Sequence, residues 1–358
     1  MRIGLVIYGS LDIVSGGYLY DRRLVDVLRD HGDQVEIISL PWRSYPRHLT
    51  DNWSSALARR MLDGFDILLQ DELNHPSLAW LNGRIGANRP PIVSLVHHLR
   101  SSEVHPLWLM PLYRVVERRY LRSVDAFIYN SHTTRREVET LLGHSRPHVV
   151  AYPAGDRLMM PGLVSEPGRV TGNHPLRLIF TGNLIPRKGL HVLLAALARV
   201  RCEWRLDIIG DPAIASRYVH RVRRIAQRSN LDERIIWHGK VSDAQLATHL
   251  AAADVLAVPS QYEGFGIAYL EGMAFGLPVL ATTAGAAPEL IADGINGFLV
   301  APGDTNALAE RIALLAGDPT VLARMSQAAL ARYAVHPTWA ETMAAAREFL
   351  VKIAAGGN

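Results

Sequence analysis

The stretch Pro259-Ser260-Gln261-Tyr262-Glu263-Gly264-Phe265-Gly266-Ile267-Ala268-Tyr269-Leu270-Glu271 decides how the chain reads. It follows a short apolar run at 254–258, opens an apolar helical pattern, and leads on to Gly297-Phe298-Leu299-Val300. Glu263 and Glu271 lie eight positions apart, with Gly264-Phe265-Gly266 between the first of them and the helical run. A helix starting near Gly264–Gly266 would put Glu263 at its mouth and Glu271 two turns in, ~12 Å further along the axis at 1.5 Å per residue. Amides of a first turn flanked by bare glycines favour an anion, and carboxylates suit hydroxyls. The stretch therefore fits a ligand carrying both phosphate and hydroxyls. Its plain alternative is a capping glutamate on an ordinary helix.

Working outward, short β-branched runs bounded by turn residues alternate with helical patterns, as in βαβ units with parallel sheets. They fall at 2–8, 35–40, 66–70, 92–96, 126–130 and 148–152, then at 177–181, 205–209, 235–238, 254–258, 278–282 and 297–300. Six and six predict two Rossmann-like, doubly wound α/β domains, at 1–165 and 170–335. The aperiodic segment Pro161–Pro175, rich in Gly, Pro, Ser and Thr, is the expected linker. Two Ala-rich helices follow Asp318-Pro319, the last from about Thr338 to Ile353. Ligands of such sheets bind beyond the carboxyl ends of the strands, so two domains facing across a cleft would hold one ligand between them.

Bulk composition agrees with this. The 358 residues, 49% apolar and 20% charged, suit a globular protein with room for two cores. One cysteine, Cys202, excludes an intrachain disulfide framework and points to a reducing, cytoplasmic setting. No apolar run approaches the ~18 residues of a membrane span, and Met1–Tyr8, soon followed by Asp12, reads as a first strand and not as a signal peptide. The net charge is only +4 and the cations are almost all Arg, with Lys at 188, 240 and 352 alone. Basic residues are not interleaved with aromatics in a stripe, so a nucleic-acid partner is not expected.

Other strand ends carry chemistry too. Thr181-Gly182-Asn183-Leu184-Ile185-Pro186-Arg187-Lys188-Gly189 sets two cations beside a turn and a following helix, without the Gly-Lys-Ser/Thr order of a P-loop. Ser15-Gly16-Gly17-Tyr18 follows the first strand, where backbone could approach a ligand closely. His97 and His98 follow the fourth run and could bond a sugar hydroxyl or shuttle a proton. Metal binding by His97, His98, Glu103 and His105 fits no recognised spacing, and the chain has no Asp-x-Asp handle for a metal diphosphate. A dinucleotide-binding dehydrogenase is disfavoured because Gly264-Phe265-Gly266 lacks the third glycine and nothing after strand one supplies the fingerprint.

These residues resemble the retaining family 4 glycosyltransferases of the GT-B fold over nearly the whole chain, most strongly at 176–303. Glu263 through Glu271 looks like the family's Glu-x7-Glu signature, and Gly285–Glu289 and Gly294-Ile295-Asn296-Gly297 look like the landmarks after it. The resemblance implies two Rossmann-like domains around a cleft, with the last helix (338–356) crossing back to the first. It implies that Arg187 and Lys188 neutralise a diphosphate beside Gly182 and Asn183. Glu263 and the backbone of Gly264, Phe265, Gly266 and Ile267 would hold the transferred sugar, and Glu271 the ribose. His97 would meet the sugar from the first domain, Gly16 and Gly17 would line the cleft, and Gly239, Lys240 and Val241 would flank the base. His97, Glu263, Lys188 and Arg187 would form the catalytic set. Many members have Arg where this chain has Asn183, so half of the usual phosphate clamp would be either absent or supplied by Arg187.

The implied activity is metal-independent transfer of a hexose from a nucleoside-diphosphate sugar to an acceptor hydroxyl, with no cofactor. UDP-sugars are the first expectation and GDP-mannose the second. The alternatives are a nucleotide-sugar epimerase or sugar phosphorylase on the same fold, or a non-catalytic binder. The segment 105–122, with Trp108, Leu109, Met110, Leu112 and Tyr113 among Arg114, Arg118, Arg119 and Arg122, suits peripheral contact with the inner face of a membrane. A core helix with an arginine face is the reading preferred from sequence.

Overall fold

The structure, a computed structural model, describes residues 1–158 and 174–356. Of the expected linker, residues 161–173 lie outside the described residues. Two compact units emerge: 1–153 joined by 337–358, and 154–336. The division comes ahead of the expected position near 165. The reason is Arg157, whose side chain pairs with Glu271 and Asp243 and so ties 154–158 to the second unit.

The first unit holds a six-stranded sheet of β1 (Arg2–Tyr8), β2 (Gln34–Leu40), β3 (Ile67–Asp71), β4 (Ile92–Val96), β5 (Ala126–Tyr129) and β6 (His148–Val150), in the order β2-β1-β3-β4-β5-β6. Every pairing is parallel. Strands of such sheets are covered on both faces, and accordingly every residue of β3, β4 and β5 is buried. Chain order reverses between β1 and β3, so their carboxyl ends flank the crevice of this unit. The helix Gly16–Asp30 starts where Ser15 caps the amide of Tyr18, and it brings Gly16 and Gly17 to that crevice. The closing helix Trp339–Ala354 begins with a reciprocal Thr338/Glu341 capping box and buries Met343, Ala346 and Leu350. It is fastened to the same unit by Arg347, whose Nε donates to Asp33 at 2.8 Å.

The second unit holds β7 (Leu176–Thr181), β8 (Trp204–Ile209), β9 (Ile235–Gly239), β10 (Val255–Ala257), β11 (Val279–Thr282) and β12 (Gly297–Val300), in the order β12-β11-β10-β7-β8-β9. Read from β9, this is the 3-2-1-4-5-6 order of dinucleotide-binding sheets, with the reversal between β7 and β10. The loop 182–189 leaves β7 and the stretch 258–266 leaves β10, so the two most informative motifs of the sequence meet at the switch point. All twelve strands fall on the runs expected from sequence.

Candidate donor site

The switch-point loops are held in near-contact by a backbone that admits only glycine at 189. Gly189 has φ +75°, and a Cβ there would lie 2.0 Å from the carbonyl oxygen of Pro259. The amide of Gln261 then donates to the carbonyl of Arg187 at 2.7 Å, and Arg187 returns a side-chain bond to the carbonyl of Tyr262 at 3.0 Å. With the loops clamped, Lys188 Nζ donates to Glu263 Oε2 at 2.6 Å, and Ser260 Oγ donates to the same oxygen at 3.1 Å. Burial would push the Glu263 carboxyl up; the charges of Lys188 and then Arg187, with both hydrogen bonds, outweigh it and hold the group below its ordinary range. At neutral pH this is an ionised carboxylate locked against a lysine.

The helix after it starts at Ile267, not within Gly264–Gly266, so Glu271 stands little more than one turn in and the two-turn spacing expected from sequence does not hold. Gly266 is the reason: its φ of +106° is outside the helical region, and a Cβ there would strike the Tyr269 ring. Glu271 is buried, and Arg157 Nε donates to its Oε1 at 2.5 Å while Arg157 Nη1 reaches Asp243 at 2.5 Å. Burial raises the Glu271 pKa in spite of Arg157. Neither Arg157 nor Asp243 was found by sequence reasoning. Arg157 sits in an aperiodic segment, and Asp243 reads as an ordinary first-turn acid. On the far side of β7, the amide of Gly210 donates to the carbonyl of Gly239 at 2.9 Å, fixing the start of the 239–241 loop, where Lys240 is exposed.

In the first unit the crevice gathers His97, Asp21 and Asp71, one ligand-type atom of each lying within 4.8 Å of the others. His97 Nε2 is 3.0 Å from Asp21 Oδ1, and its carbonyl accepts from Asn130 at 2.7 Å. Gly17 has a packing reason: a Cβ there would sit 3.1 Å from the imidazole. Burial disfavours charge on His97, but Asp21, by its charge and hydrogen bond, and then Asp71 raise its pKa to about 9. Burial and the neighbouring Asp21 lift Asp71 to about 7. Next to them, burial takes Glu72 to about 8 and Glu117 to about 7 and drives His75 down to about 4. His98 does not join this group; its Nε2 meets Glu103 at 3.0 Å. The sequence signalled His97 but not Asp21, which reads as a helix-surface acid.

Residues 175–318 match the family described as Glycosyl transferases group 1, and residues 17–155 match Glycosyltransferase Family 4. A phosphatidyl-myo-inositol mannosyltransferase of Mycobacterium leprae (strain TN) is 30% identical over 349 residues, 89% of this chain and 88% of the relative. The chain belongs to the family 4, group 1 glycosyltransferases. A D-inositol 3-phosphate glycosyltransferase of Corynebacterium efficiens is also 30% identical, over 74% of this chain and 67% of that relative. Among solved structures, sucrose-phosphate synthase of Thermosynechococcus elongatus superposes with a TM-score of 0.82 at 20% identity, covering 99% of this chain and all of that one. The fold is the two-domain α/β fold of the GT-B glycosyltransferases, and the protein is a sugar-transferring enzyme.

Proposed function

We propose that the chain transfers a hexose from a nucleoside-diphosphate sugar to an acceptor hydroxyl with retention at the anomeric carbon and without a metal. The observation that carries this reading is the Lys188–Glu263 pair at the β7/β10 switch point. Lys188 and Arg187 neutralise the charge that builds on the leaving diphosphate, the task a metal performs elsewhere. Glu263 and the backbone from Gly264 to Ile267 position the sugar, Gly182 and Asn183 border the diphosphate, and Glu271 accepts from the ribose. Gly239, Lys240 and Val241 flank the base. His97, an imidazolium at neutral pH, meets the sugar beside Gly16 and Gly17.

In the step itself the acceptor oxygen bonds to the anomeric carbon as the bond from that carbon to the β-phosphate oxygen breaks. The acceptor's proton passes to the leaving phosphate on the same face, giving glycoside and nucleoside diphosphate. Glu263 as a covalent nucleophile would need the opposite face of the sugar. UDP-sugars are the expectation carried from the sequence, while a relative from Mycolicibacterium smegmatis, 28% identical and named as a GDP-mannose-dependent mannosyltransferase, favours GDP-mannose. A thermal-shift panel of UDP, GDP, ADP and dTDP sugars, followed by assay of diphosphate release with and without acceptor, tests the reading. Acceptor-dependent release supports it. Interconversion of the donor sugar with no acceptor would replace it with an epimerase.

The acceptor side has its own observation. Among the described residues no helix is long and apolar enough to cross a membrane. Yet Val104, Leu107, Trp108, Leu112 and Val115 are exposed, Leu107 at 88% and Trp108 at 78%. Arg118, Arg119 and Arg122 line a surface hollow beside Val115. The helix Met110–Leu121 thus has a core face of Tyr113, Val116, Tyr120 and Leu121 as well as an apolar, basic outer face. This supports peripheral contact with an anionic bilayer and a lipid-borne acceptor. Co-sedimentation with vesicles should rise with anionic lipid and fall for Leu107→Ser/Trp108→Ser; indifference to lipid charge would remove the idea.

A further inference from the structure

On the outer edge of the second sheet, next to the loop 239–241 assigned to the base but sharing no residue with the donor set, Asp207, His238 and His249 converge. Asp207 belongs to β8, His238 to the edge strand β9, and His249 to the helix Asp243–Ala252. The convergence has a backbone cause. Ile208 pairs with Trp237 and the next residue, Ile209, with Gly239, so His238 is an extra residue in the ladder. Such a bulge bends its strand and re-aims the side chain it carries. Here the re-aimed imidazole meets Asp207, with Nε2 and Oδ1 2.5 Å apart, and lies 4.1 Å, centroid to centroid, from the ring of His249. One ligand-type atom from each of the three lies within 4.8 Å of the others, and all three residues are half-buried, so the group is open to solvent on one side.

We propose that Asp207, His238 and His249 form a binding site for a borderline transition-metal ion of the Zn²⁺ class. Two imidazole nitrogens and one carboxylate oxygen are the donor set of three-ligand zinc sites, with water in the fourth position. The same set disfavours Mg²⁺ and Ca²⁺, which take oxygen ligands. Bond lengths of ~2.0–2.2 Å to such an ion require ligand atoms ~3–3.5 Å apart, so the present spacing needs only small side-chain rotations. Among the described residues the other two groupings of this kind differ in setting: Asp21, Asp71 and His97 belong to the crevice already described, and Glu72, His75 and Glu117 are all buried. An ion at the edge site staples β9 to the helix Asp243–Ala252. Those two elements bracket the loop 239–241, and the helix carries the Asp243 that holds Arg157. The ion takes no part in sugar transfer.

The test is titration of tag-free, metal-stripped full-length protein with Zn²⁺ by calorimetry, and with Co²⁺ by visible absorption, which reports imidazole and carboxylate ligation in a low-symmetry site. The expected result is a single site of micromolar or tighter affinity, silent to Mg²⁺ and Ca²⁺, weakened ~10–100-fold or more by His249→Gln and by Asp207→Asn. Both replacements are at half-buried positions, and an unchanged melting temperature of the metal-free variants would separate loss of a ligand from loss of fold. Failure of the wild-type protein to bind Zn²⁺ below about 1 mM overturns the proposal whatever the variants do. Binding that survives both replacements also overturns it, since fifteen histidines offer other, adventitious places.

Discussion

In the second unit each buried carboxylate of the donor site has a strong base beside it: Lys188 for Glu263, and Arg157 for Glu271. In the first unit Asp21, Asp71, Glu72 and Glu117 are also buried, but the bases beside them are imidazoles: His97, charged, beside Asp21, and His75, which burial keeps neutral, beside Glu72. Paired with a base, Glu263 stays ionised and fixed. Desolvated and crowded with other acids, Asp71, Glu72 and Glu117 climb toward neutrality. The unit assigned to the diphosphate is therefore built as a permanent charge clamp. The first unit holds carboxyls that titrate near working pH.

The largest effect should come from dismantling the clamp. Lys188→Ala and Glu263→Ala are each expected to lower kcat by about 10²–10³-fold, with the double variant little worse than either. Single-turnover rates check this, and rates within a few-fold of the parent would make the two units equivalent and the clamp irrelevant.

Glycine replacements sharpen the comparison. Gly189→Ala places a Cβ 2.0 Å from a backbone oxygen at φ +75°, whereas Gly17→Ala meets only the movable His97 ring at 3.1 Å. The first should cost at least ~1–3 kcal/mol in urea unfolding. The second should leave stability within ~1 kcal/mol and act on turnover, because Gly-to-Ala is neutral or favourable inside a helix apart from that contact. Similar losses of stability in both would erase the distinction between a structural and a site glycine.

The pH dependence should have opposite signs for Glu72 and Glu263. Glu72 is raised by burial to about 8 from an unfolded value near ~4.3, so the folded state holds its proton in between. That stability is complete at low pH and lost as pH rises through the window. His97, raised to about 9, acts in the same direction between ~6.5 and that value. Glu263, lowered mainly by Lys188 against burial, contributes stability above its unfolded pKa and loses it as pH falls. Unfolding free energies against pH for Glu72→Gln should show a flatter decline above pH 5, and an unchanged slope would mean that Glu72 is not the group responsible. A smaller effect is expected for Arg157→Ala: KM for donor up by roughly tenfold with kcat nearly kept, since Arg157 acts by orienting Glu271.

That Thr181–Gly189 and Pro259–Glu271 leave strand ends was legible in the sequence because each motif is contiguous. Thr181–Gly189 and Pro259–Glu271 are each a strand end with its loop, so runs of β-branched residues gave their address and glycines their conformation. The start of the helix was misjudged because Gly266 takes a left-handed conformation that no residue pattern announces. Arg157 was missed since its partners are 86 and 114 residues away in the chain. The first unit's site draws on three strand ends and a helix at once, and only His97 carried a local signal. Asp21 becomes notable only when the fold turns the fifth residue after Gly16 toward it. The metal-type cluster at 207, 238 and 249 depends on a bulge, which alternation along β9 cannot reveal.

The most direct test of the clamp is equilibrium binding of UDP and GDP, by calorimetry at fixed ionic strength, to the parent and to Lys188→Ala. Loss of about 50-fold or more in affinity for whichever diphosphate binds, with the corresponding nucleoside unaffected, is the expected result. Equal affinity of the two proteins for the diphosphate would contradict the assignment of the β7/β10 switch point to the donor's phosphates.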